Sequence, residues 1–216
     1  GRLQTGAMIN FVSFTPDYWD GPRHNRHYFS QELSKHARVL FVSPPFNIAR
    51  VVDNLGKWTL SKSGVREISP TLVNHVPSKL HFTSHRVPAF DRWVAQRRLQ
   101  AVKRTARRFR MDADPVLLIW HPNFRDMVGQ FKERLVVYYV YDQYAGYTGS
   151  GGNTRSAGET ELMSKADIVF VLSKELYEIK KRDAKNVIHL ANAVDFDHFA
   201  RARDAATAVP DDMAAI

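Results

Sequence analysis

The sequence predicts an α/β protein with a Rossmann-like, doubly wound and mainly parallel sheet. Short apolar runs alternate with helical segments along the chain, which is the pattern of strands joined by crossover helices. Several runs are apolar without interruption, as in strands buried on both faces. The runs around Val65–Ile68 and Thr71–Val76 predict a small antiparallel excursion, and the sheet itself is expected to have about six or seven strands with helices on both faces. The other predicted strands are 9–14, 39–42, 116–120, 135–141, 168–172 and 187–190.

The helices are predicted from capping residues and apolar spacing. Pro22 follows Asp-Gly, as a first-turn proline does, and predicts a helix from there to about His36. A long amphipathic helix is predicted from about Phe90 to Arg110, because Ala95, Leu99, Val102, Ala106 and Phe109 recur at helical spacing.

The most informative stretch begins at Glu161. A helix runs into an Ala166-Asp167 corner, a buried strand follows, and Ser173 stands where that strand ends. Ser173 can N-cap a helix from Lys174 to about Arg182, and the next strand ends in Asn192-Ala-Val-Asp. Because ligands of open α/β sheets bind at the carboxyl ends of the strands, Ser173 and Asn192 are predicted substrate-binding residues.

These motifs resemble a known family. The pattern of Ala166-Asp167-Ile-Val-Phe, Ser173, Leu176 and Asn192-Ala-Val-Asp with Phe199 is similar to the retaining GT-B glycosyltransferases of the family-4 type. Two positions depart from it, since Ala191 and Ala193 stand where the family usually has Pro and Gly. The resemblance implies an amino-terminal, acceptor-side domain over residues 8–200. It also implies that residues 201–216 are a linker or tail toward an absent carboxyl-terminal donor domain. Residues 1–7 lack periodicity and precede Met8, so they are expected to be an expression scar.

The composition limits the classes of protein to which this chain can belong. The 216 residues are 44% hydrophobic, which is enough for a full core, and the sequence has no cysteine, which excludes a disulfide scaffold and a cysteine metal site. It contains no long apolar span, no signal peptide and no dinucleotide, P-loop, hydrolase or zinc-protease signature. A cytoplasmic protein without metal or cofactor is expected. The glycines of Gly149–Gly152 favour a mobile loop over a phosphate cradle.

The loop after the first strand is one candidate site. A helix amino terminus near Pro22 gathers free N–H groups, and the nearby basic side chains suit an anion or a hydroxyl-rich sugar. The family resemblance implies that Trp19, with Arg23 or Arg26, lines the cleft between two domains. The alternative is a solvated basic helix face, which is the favoured interpretation for His24 and His27.

Two further candidates follow buried strands. His121 could accept a proton or bond a sugar hydroxyl, or it could be a structural histidine bonded to the backbone. Asp142 could bind ligand hydroxyls or cap the next turn, and Gln143 replaces the second acid that the family often has there. We predict His121 and Asp142 as catalytic residues. The tyrosines between Tyr138 and Tyr144 could be sheet residues or an aromatic platform for a sugar.

The charge is concentrated in the long helix. The chain carries a formal charge of +9, and Arg97, Arg104 and Arg108 share one face of that helix. Without a nucleic-acid-binding motif, nucleic acid is the weaker partner, and the resemblance favours peripheral contact with an anionic membrane. A solvated face balanced by an acidic second domain is the alternative.

The sequence therefore predicts the acceptor half of a hexosyl glycosyltransferase. Its nucleotide-sugar donor and its polysaccharide or lipid-linked acceptor are the implied partners, and the fragment alone is expected to be inactive. The rival hypothesis is a non-catalytic basic Rossmann-like module that binds an anionic ligand or partner.

Overall fold

The protein is built on one eight-stranded sheet. The computed structural model describes residues 8–46, 63–79, 88–143, 150–194, 196–204 and 206–208. The strands lie in the order β3-β4-β2-β1-β5-β6-β7-β8. They are β1 (Asn10–Phe14), β2 (Arg38–Val42), β3 (Gly64–Ser69), β4 (Leu72–Val76), β5 (Val116–Ile119), β6 (Leu135–Val140), β7 (Ile168–Val171) and β8 (Val187–His189).

Five α-helices and two 3-10 helices connect or follow the strands of the described chain. The 3-10 helices are Pro122–Met127 and Arg201–Arg203. The α-helices are α1 (Asn25–Leu33), α2 (Pro88–Arg108), α3 (Ser150–Lys165), α4 (Lys174–Lys180) and α5 (Phe196–Ala200).

The sheet is doubly wound, as the sequence predicts. β3 pairs with β4 antiparallel, and the neighbouring pairs of all the other strands are parallel. From β1 the chain winds outward through β2 to β4 on one side and through β5 to β8 on the other. The topological switch point, where open α/β sheets place their ligands, therefore lies between the carboxyl ends of β1 and β5.

The helices cover the two faces of the sheet unequally. Alternate residues of each strand point to opposite faces, so Leu117 and Ile119 of β5 belong to one core cluster, whereas Val116 and Leu118 belong to another. The first cluster contains buried residues of α2, α3 and α4. The opposite face receives Phe29 of α1, whose ring packs against the rings of Trp120, directly after β5, and Tyr139 of β6.

The Ala166-Asp167 corner fixes the amino ends of two strands. Ala166 is buried, and Asp167 Oδ2 accepts a hydrogen bond from the backbone N–H of Val136 at 2.7 Å. The backbone N–H of Asp167 in turn donates to the carbonyl of Val136 at 2.9 Å. This reciprocal pair aligns the start of β7 with the start of β6, which explains why a polar residue precedes an apolar strand.

Three sequence expectations are corrected. The sheet has eight strands rather than six or seven, because both strands of the antiparallel excursion join it through β4. α1 begins at Asn25 rather than Pro22, because His24 is still extended and its N–H is bonded by the His27 side chain at 3.1 Å. Gly151 and Gly152 lie in the first turns of α3 rather than in a loop, whereas Gly149 is outside the described residues.

Two further results concern the described residues as a whole. None of their helices combines the length and the apolarity that a membrane span requires. No group of three or more histidine or acidic side chains among them is arranged to hold a metal ion. The predicted scar, residues 1–7, lies outside the described residues, and the described part of the tail forms the short 3-10 helix at Arg201–Arg203.

Candidate functional site

The carboxyl ends of five adjacent strands carry the predicted polar residues. β1, β5, β6, β7 and β8 are neighbours in the sheet, and their ends run into Thr15, His121, Asp142, Ser173 and Asn192. Neighbouring strands are about 4.8 Å apart, so residues far apart in sequence share one edge. The edge includes the switch point between β1 and β5.

Arg26 is the centre of a polar cluster at this edge. Its side chain is 8% exposed, and its Nε donates a hydrogen bond to Oδ2 of Asp17, in the loop after β1. Its guanidinium lies over the ring of Tyr141, 4.3 Å from the centroid, at the end of β6. The ion pair and the aromatic face therefore fix α1 against two strand ends, and the polar atoms of Arg26 are engaged within the protein.

A second contact joins the start of α1 to the last strand end. Nδ2 of Asn25 donates to Oδ1 of Asn192 at 3.2 Å, across 167 positions of sequence. Asn192 is exposed, and Asn25 is half-buried. The structure thus brings together Arg26 and Asn192 of the predicted site, with Asn25 between them in the fold and Tyr141 leading directly to Asp142.

His24 and His27 stabilise the start of α1. Nδ1 of His27 accepts from the backbone N–H of His24, and Nε2 donates to the carbonyl of Tyr18 at 3.1 Å, so His27 is the neutral Nε2–H tautomer. His27 is fully buried, and desolvation by this burial lowers its pKa from the ordinary 6.5. His24 is exposed, with Nε2 4.0 Å from Oδ1 of Asp17. These contacts are structural. The interpretation of a solvated helix face is wrong for His27, which is buried, whereas His24 is exposed as that interpretation expects.

Trp19 is a core residue in this structure. Its ring is 4% exposed and packs edge-on against Phe41, with a centroid distance of 5.0 Å, beside His27. The guanidinium of the exposed Arg23 lies 4.8 Å from the centroid of the Trp19 ring. Arg23 is therefore the member of this pair that is open to solvent, and the role of both in binding substrate stays a prediction.

His121 lies at the end of β5, beside the switch point. It is half-buried, and its Nδ1 accepts from the backbone N–H of Asn123 at 3.1 Å, which caps the 3-10 helix that follows. In the neutral ring the proton is consequently on Nε2, which makes this nitrogen a hydrogen-bond donor. Trp120 before it is buried, and its Nε1 donates to Ser13 Oγ at 3.0 Å, which fixes the direction of the loop.

Asp142 and Ser173 both stabilise the backbone that follows them. Oδ1 of Asp142 accepts from the N–H of Gln143 at 2.8 Å, which is the turn-capping role considered from sequence. Ser173 is the N-cap of α4, and its Oγ accepts from the N–H of Leu176 at 3.1 Å, as the sequence predicts. Both side chains are half-buried rather than enclosed, and their contacts with substrate stay predictions.

The tyrosines at this edge have separate roles. Tyr139 is buried, stacks on Trp120 with a centroid distance of 4.5 Å, and donates its hydroxyl to the carbonyl of Leu190 at 3.0 Å. Burial raises the pKa of Tyr139 above 10.0, so it remains a neutral donor. Tyr138 points to the opposite face, where its hydroxyl donates to the buried Glu159 at 3.3 Å. Tyr138 and Tyr139 are thus sheet residues, and Tyr141 alone of these three contacts the cluster of Arg26.

The arginines of α2 lie away from this cluster. α2 packs with Val94, Leu99, Val102 and Ala106 buried, and it covers the face of the sheet opposite α1. Arg97, Arg104 and Arg108 are exposed, and Arg97 lies over the half-exposed ring of Trp93 at 5.1 Å. Their contact with an anionic membrane stays a prediction.

Two residues of the candidate site were missed from sequence. Asp17 follows β1 by three positions, but nothing in the sequence pairs it with Arg26 nine residues later. Asn25 is an ordinary polar residue until the fold brings Asn192 to it. The only available signal was position, since both lie between the end of β1 and the first helix.

Comparison with known proteins adds information on the fold. No family model and no curated protein matches the sequence. The structure is similar to a solved structure of sucrose-phosphate synthase from Thermosynechococcus elongatus, with a TM-score of 0.52 and 11% identity, over 89% of this chain and 94% of the other. At this identity the likeness shows the fold alone, which is a Rossmann-like α/β fold.

Proposed function

We propose that this chain is the acceptor-side domain of a GT-B, retaining glycosyltransferase of the family-4 type. In this proposal the enzyme transfers a hexose from a nucleotide-sugar to a polysaccharide or lipid-linked acceptor in the cytoplasm. The proposal rests on the polar edge at the switch point, where Arg26, Asn192 and the ends of β5 and β6 converge. The similarity of the fold to a sugar-transferring enzyme and the motifs around Ser173 support it.

The side chains at the edge suit a hydroxyl-rich ligand. The carboxylate of Asp142 accepts hydrogen bonds, Nε2 of His121 donates one, and the amides of Asn25 and Asn192 do both. Arg26 is a positioning residue. Its ion pair with Asp17 and its contact with Tyr141 fix the loop after β1 and the end of β6, which carry the residues that would contact the ligand. Such an edge can orient an acceptor hydroxyl, and catalysis then rests on positioning and on stabilising the leaving diphosphate.

The leaving diphosphate needs cationic or N–H donors, and these are proposed to come from a second Rossmann-like domain of the same protein. This part of the proposal rests on the family resemblance. Asp142 would then face the acceptor hydroxyl, while the second domain would hold most of the donor.

Sugar transfer by the full-length protein tests the proposal. The protein is incubated with UDP- and GDP-hexoses and with lipid-linked and polysaccharide acceptors, and mass spectrometry detects the addition of a hexose. We expect transfer from one donor, reduced in Asp142→Asn and retained in the matched control Asp183→Asn, which removes an exposed carboxylate in the turn after α4. Failure to transfer any hexose, together with retained binding of anionic ligands, would favour the non-catalytic module instead.

A further inference from the structure

We infer that the outer face of α2 is a binding groove for an acidic glycan, that is, for a sugar chain bearing carboxylates or phosphates. The inference deepens the proposed function, on which it rests, by naming the chemical class of the acceptor. The groove is defined here as two adjoining depressions that share Arg104.

The two depressions adjoin along one path, because Arg104 lines both of them. One has a volume of about 480 Å³ and runs along α2, lined by Trp93, Gln96, Arg97, Gln100, Arg104 and Arg107. The other, of about 310 Å³, lies between α2 and the carboxyl end of β4, and its lining includes Ser63, His75, Ser78 and Arg104. Volumes of this order accommodate small-molecule ligands, so the path has room for a few sugar units.

The charge of the groove indicates an anionic ligand. α2 carries seven basic side chains (Arg92, Arg97, Arg98, Lys103, Arg104, Arg107 and Arg108) against one acidic side chain, Asp91. Among the described residues, Arg97 and Arg104 form no ion pair, and Arg107 has a loose one, with Nε 3.9 Å from Oδ2 of Asp112. A row of unneutralised guanidinium groups favours carboxylates and phosphates, which they can bind through two parallel hydrogen bonds.

The uncharged lining residues favour a glycan over a bilayer. Gln96 and Gln100 alternate with the arginines, and their carboxamides can both donate to and accept from sugar hydroxyls. Trp93 is 52% exposed and presents an aromatic surface on which a sugar ring can pack. A helix that lies in a membrane buries its apolar face in lipid, but the apolar face of α2 is buried in the core of this protein.

The position of the groove connects it to the candidate site. Its inner depression reaches the carboxyl end of β4, which is two strands from β1 in the sheet order. At the usual strand spacing β1 lies about 10 Å from β4, and β6, which leads to Asp142, lies four strands or about 19 Å from β4, so a chain of about four sugar units is needed to span that distance. An acidic chain held on α2 can therefore extend toward the carboxyl edge where Asp142 lies.

Binding of defined oligosaccharides to this chain tests the inference. Calorimetry compares an acidic hexasaccharide of hyaluronan with the neutral chitohexaose, and backbone NMR of the α2 amides locates the contact. We expect binding of the acidic chain that weakens with salt, and little binding of the neutral one. Removing three arginines should weaken it about tenfold, as three exposed ion pairs together would give; the variant is Arg97→Gln with Arg104→Gln and Arg107→Gln.

The controls separate a site from general charge attraction. A matched variant loses three exposed charges elsewhere, Lys35→Gln with Lys185→Gln and Arg203→Gln, and should change affinity by less than about twofold. Trp93→Ala, which keeps every charge, should also weaken binding. Equal losses in both triple variants, or equal binding of the neutral chain, would overturn the inference. So would binding to phosphatidylglycerol vesicles that depends on Trp93, if the acidic oligosaccharide did not bind.

The outcome is distinguishable from that of the proposed function. If hexose transfer depends on Asp142 but the acidic chain does not bind α2, the groove is wrong and the transferase stands. If the acidic chain binds α2 and no hexose is transferred, the proposed transferase fails while the groove is retained as an anion-binding surface.

Discussion

The ion pair between Asp17 and Arg26 is predicted to hold the candidate site together, and a double-mutant cycle measures its strength. The Arg26 side chain is 8% exposed and that of Asp17 is 19% exposed, so water screens the pair only in part. Asp17→Asn leaves a buried guanidinium with a neutral partner. Removing one partner of a fully buried pair costs about 3–5 kcal/mol, whereas an exposed pair contributes about 0–1 kcal/mol.

The magnitude expected here lies between those limits. The face of Tyr141 continues to stabilise the cation by about 0.5–2 kcal/mol, so we expect Asp17→Asn to lower the free energy of unfolding by about 2–3 kcal/mol. For a chain of 216 residues this corresponds to a fall in Tm of about 4–12 °C. Urea denaturation of Asp17→Asn, Arg26→Gln and the double variant gives the coupling free energy, which we expect to be about 1.5 kcal/mol or more.

The chain supplies its own control pair. Nη2 of Arg66 lies 2.6 Å from Oδ1 of Asp20, but these side chains are 54% and 58% exposed. The same cycle on Asp20 and Arg66 should give a coupling below about 1 kcal/mol. Equal coupling free energies in the two cycles would contradict the prediction that burial strengthens the Asp17–Arg26 pair, because that pair would then not differ from an ordinary surface contact.

Three further predictions address the site, the pH dependence and the core. In an enzyme that joins this chain to the proposed second domain, Asp142→Asn or His121→Ala should lower turnover by more than about tenfold. His121→Ala should lose at most about 1 kcal/mol of stability, because His121 caps the N–H of Asn123. A falling Tm with retained activity per folded molecule would instead indicate a structural role. The pKa of His27 in the folded protein lies below 6.5, so the stability that this neutral histidine contributes is present above about pH 6.5 and is lost as the pH falls toward the folded pKa. In His27→Gln the pH dependence of urea unfolding should therefore flatten in this range. An unchanged profile would contradict this expectation. Lys180→Met leaves Glu159 buried without its cation, which is 2.8 Å away, and should cost about 3–5 kcal/mol; denaturation should show that adding Glu159→Gln recovers most of the loss, and a single variant as stable as the parent would contradict the assignment.

The strands were predictable because buried strands appear in the sequence as uninterrupted apolar runs. β5, β6 and β7 were all found within one residue of their ends, and α2 emerged from the spacing of Leu99 and Val102. The order of the strands was not predictable, since it depends on which edges of the sheet the crossovers reach. The glycines of α3 have a low helix propensity and predict a loop, but Leu162 and Met163 anchor this helix in the core, and their packing overrides the local propensity.

The site was predictable in position but not in its contacts. A polar residue after a buried strand points to the carboxyl edge, and this rule located His121, Asp142 and Ser173. The rule could not give the partners of Arg26, because Asp17 belongs to a loop whose path is set by packing around Trp19. Capping by His24 and His27 was also invisible, since neither is among the residues that usually begin a helix.

NMR mapping of sugar binding to this chain is the most direct test of whether sugars bind at the switch point. Backbone amide shifts are followed while hexose glycosides and a nucleotide-sugar are titrated into the 216-residue chain. We expect weak binding, with Kd values near the millimolar range, and the largest shifts at the carboxyl edge, at Asn25, Asp142 and Asn192. Shifts concentrated at the opposite edge of the sheet, around Val136 and Asp167, would contradict the claim that sugars bind at the switch point.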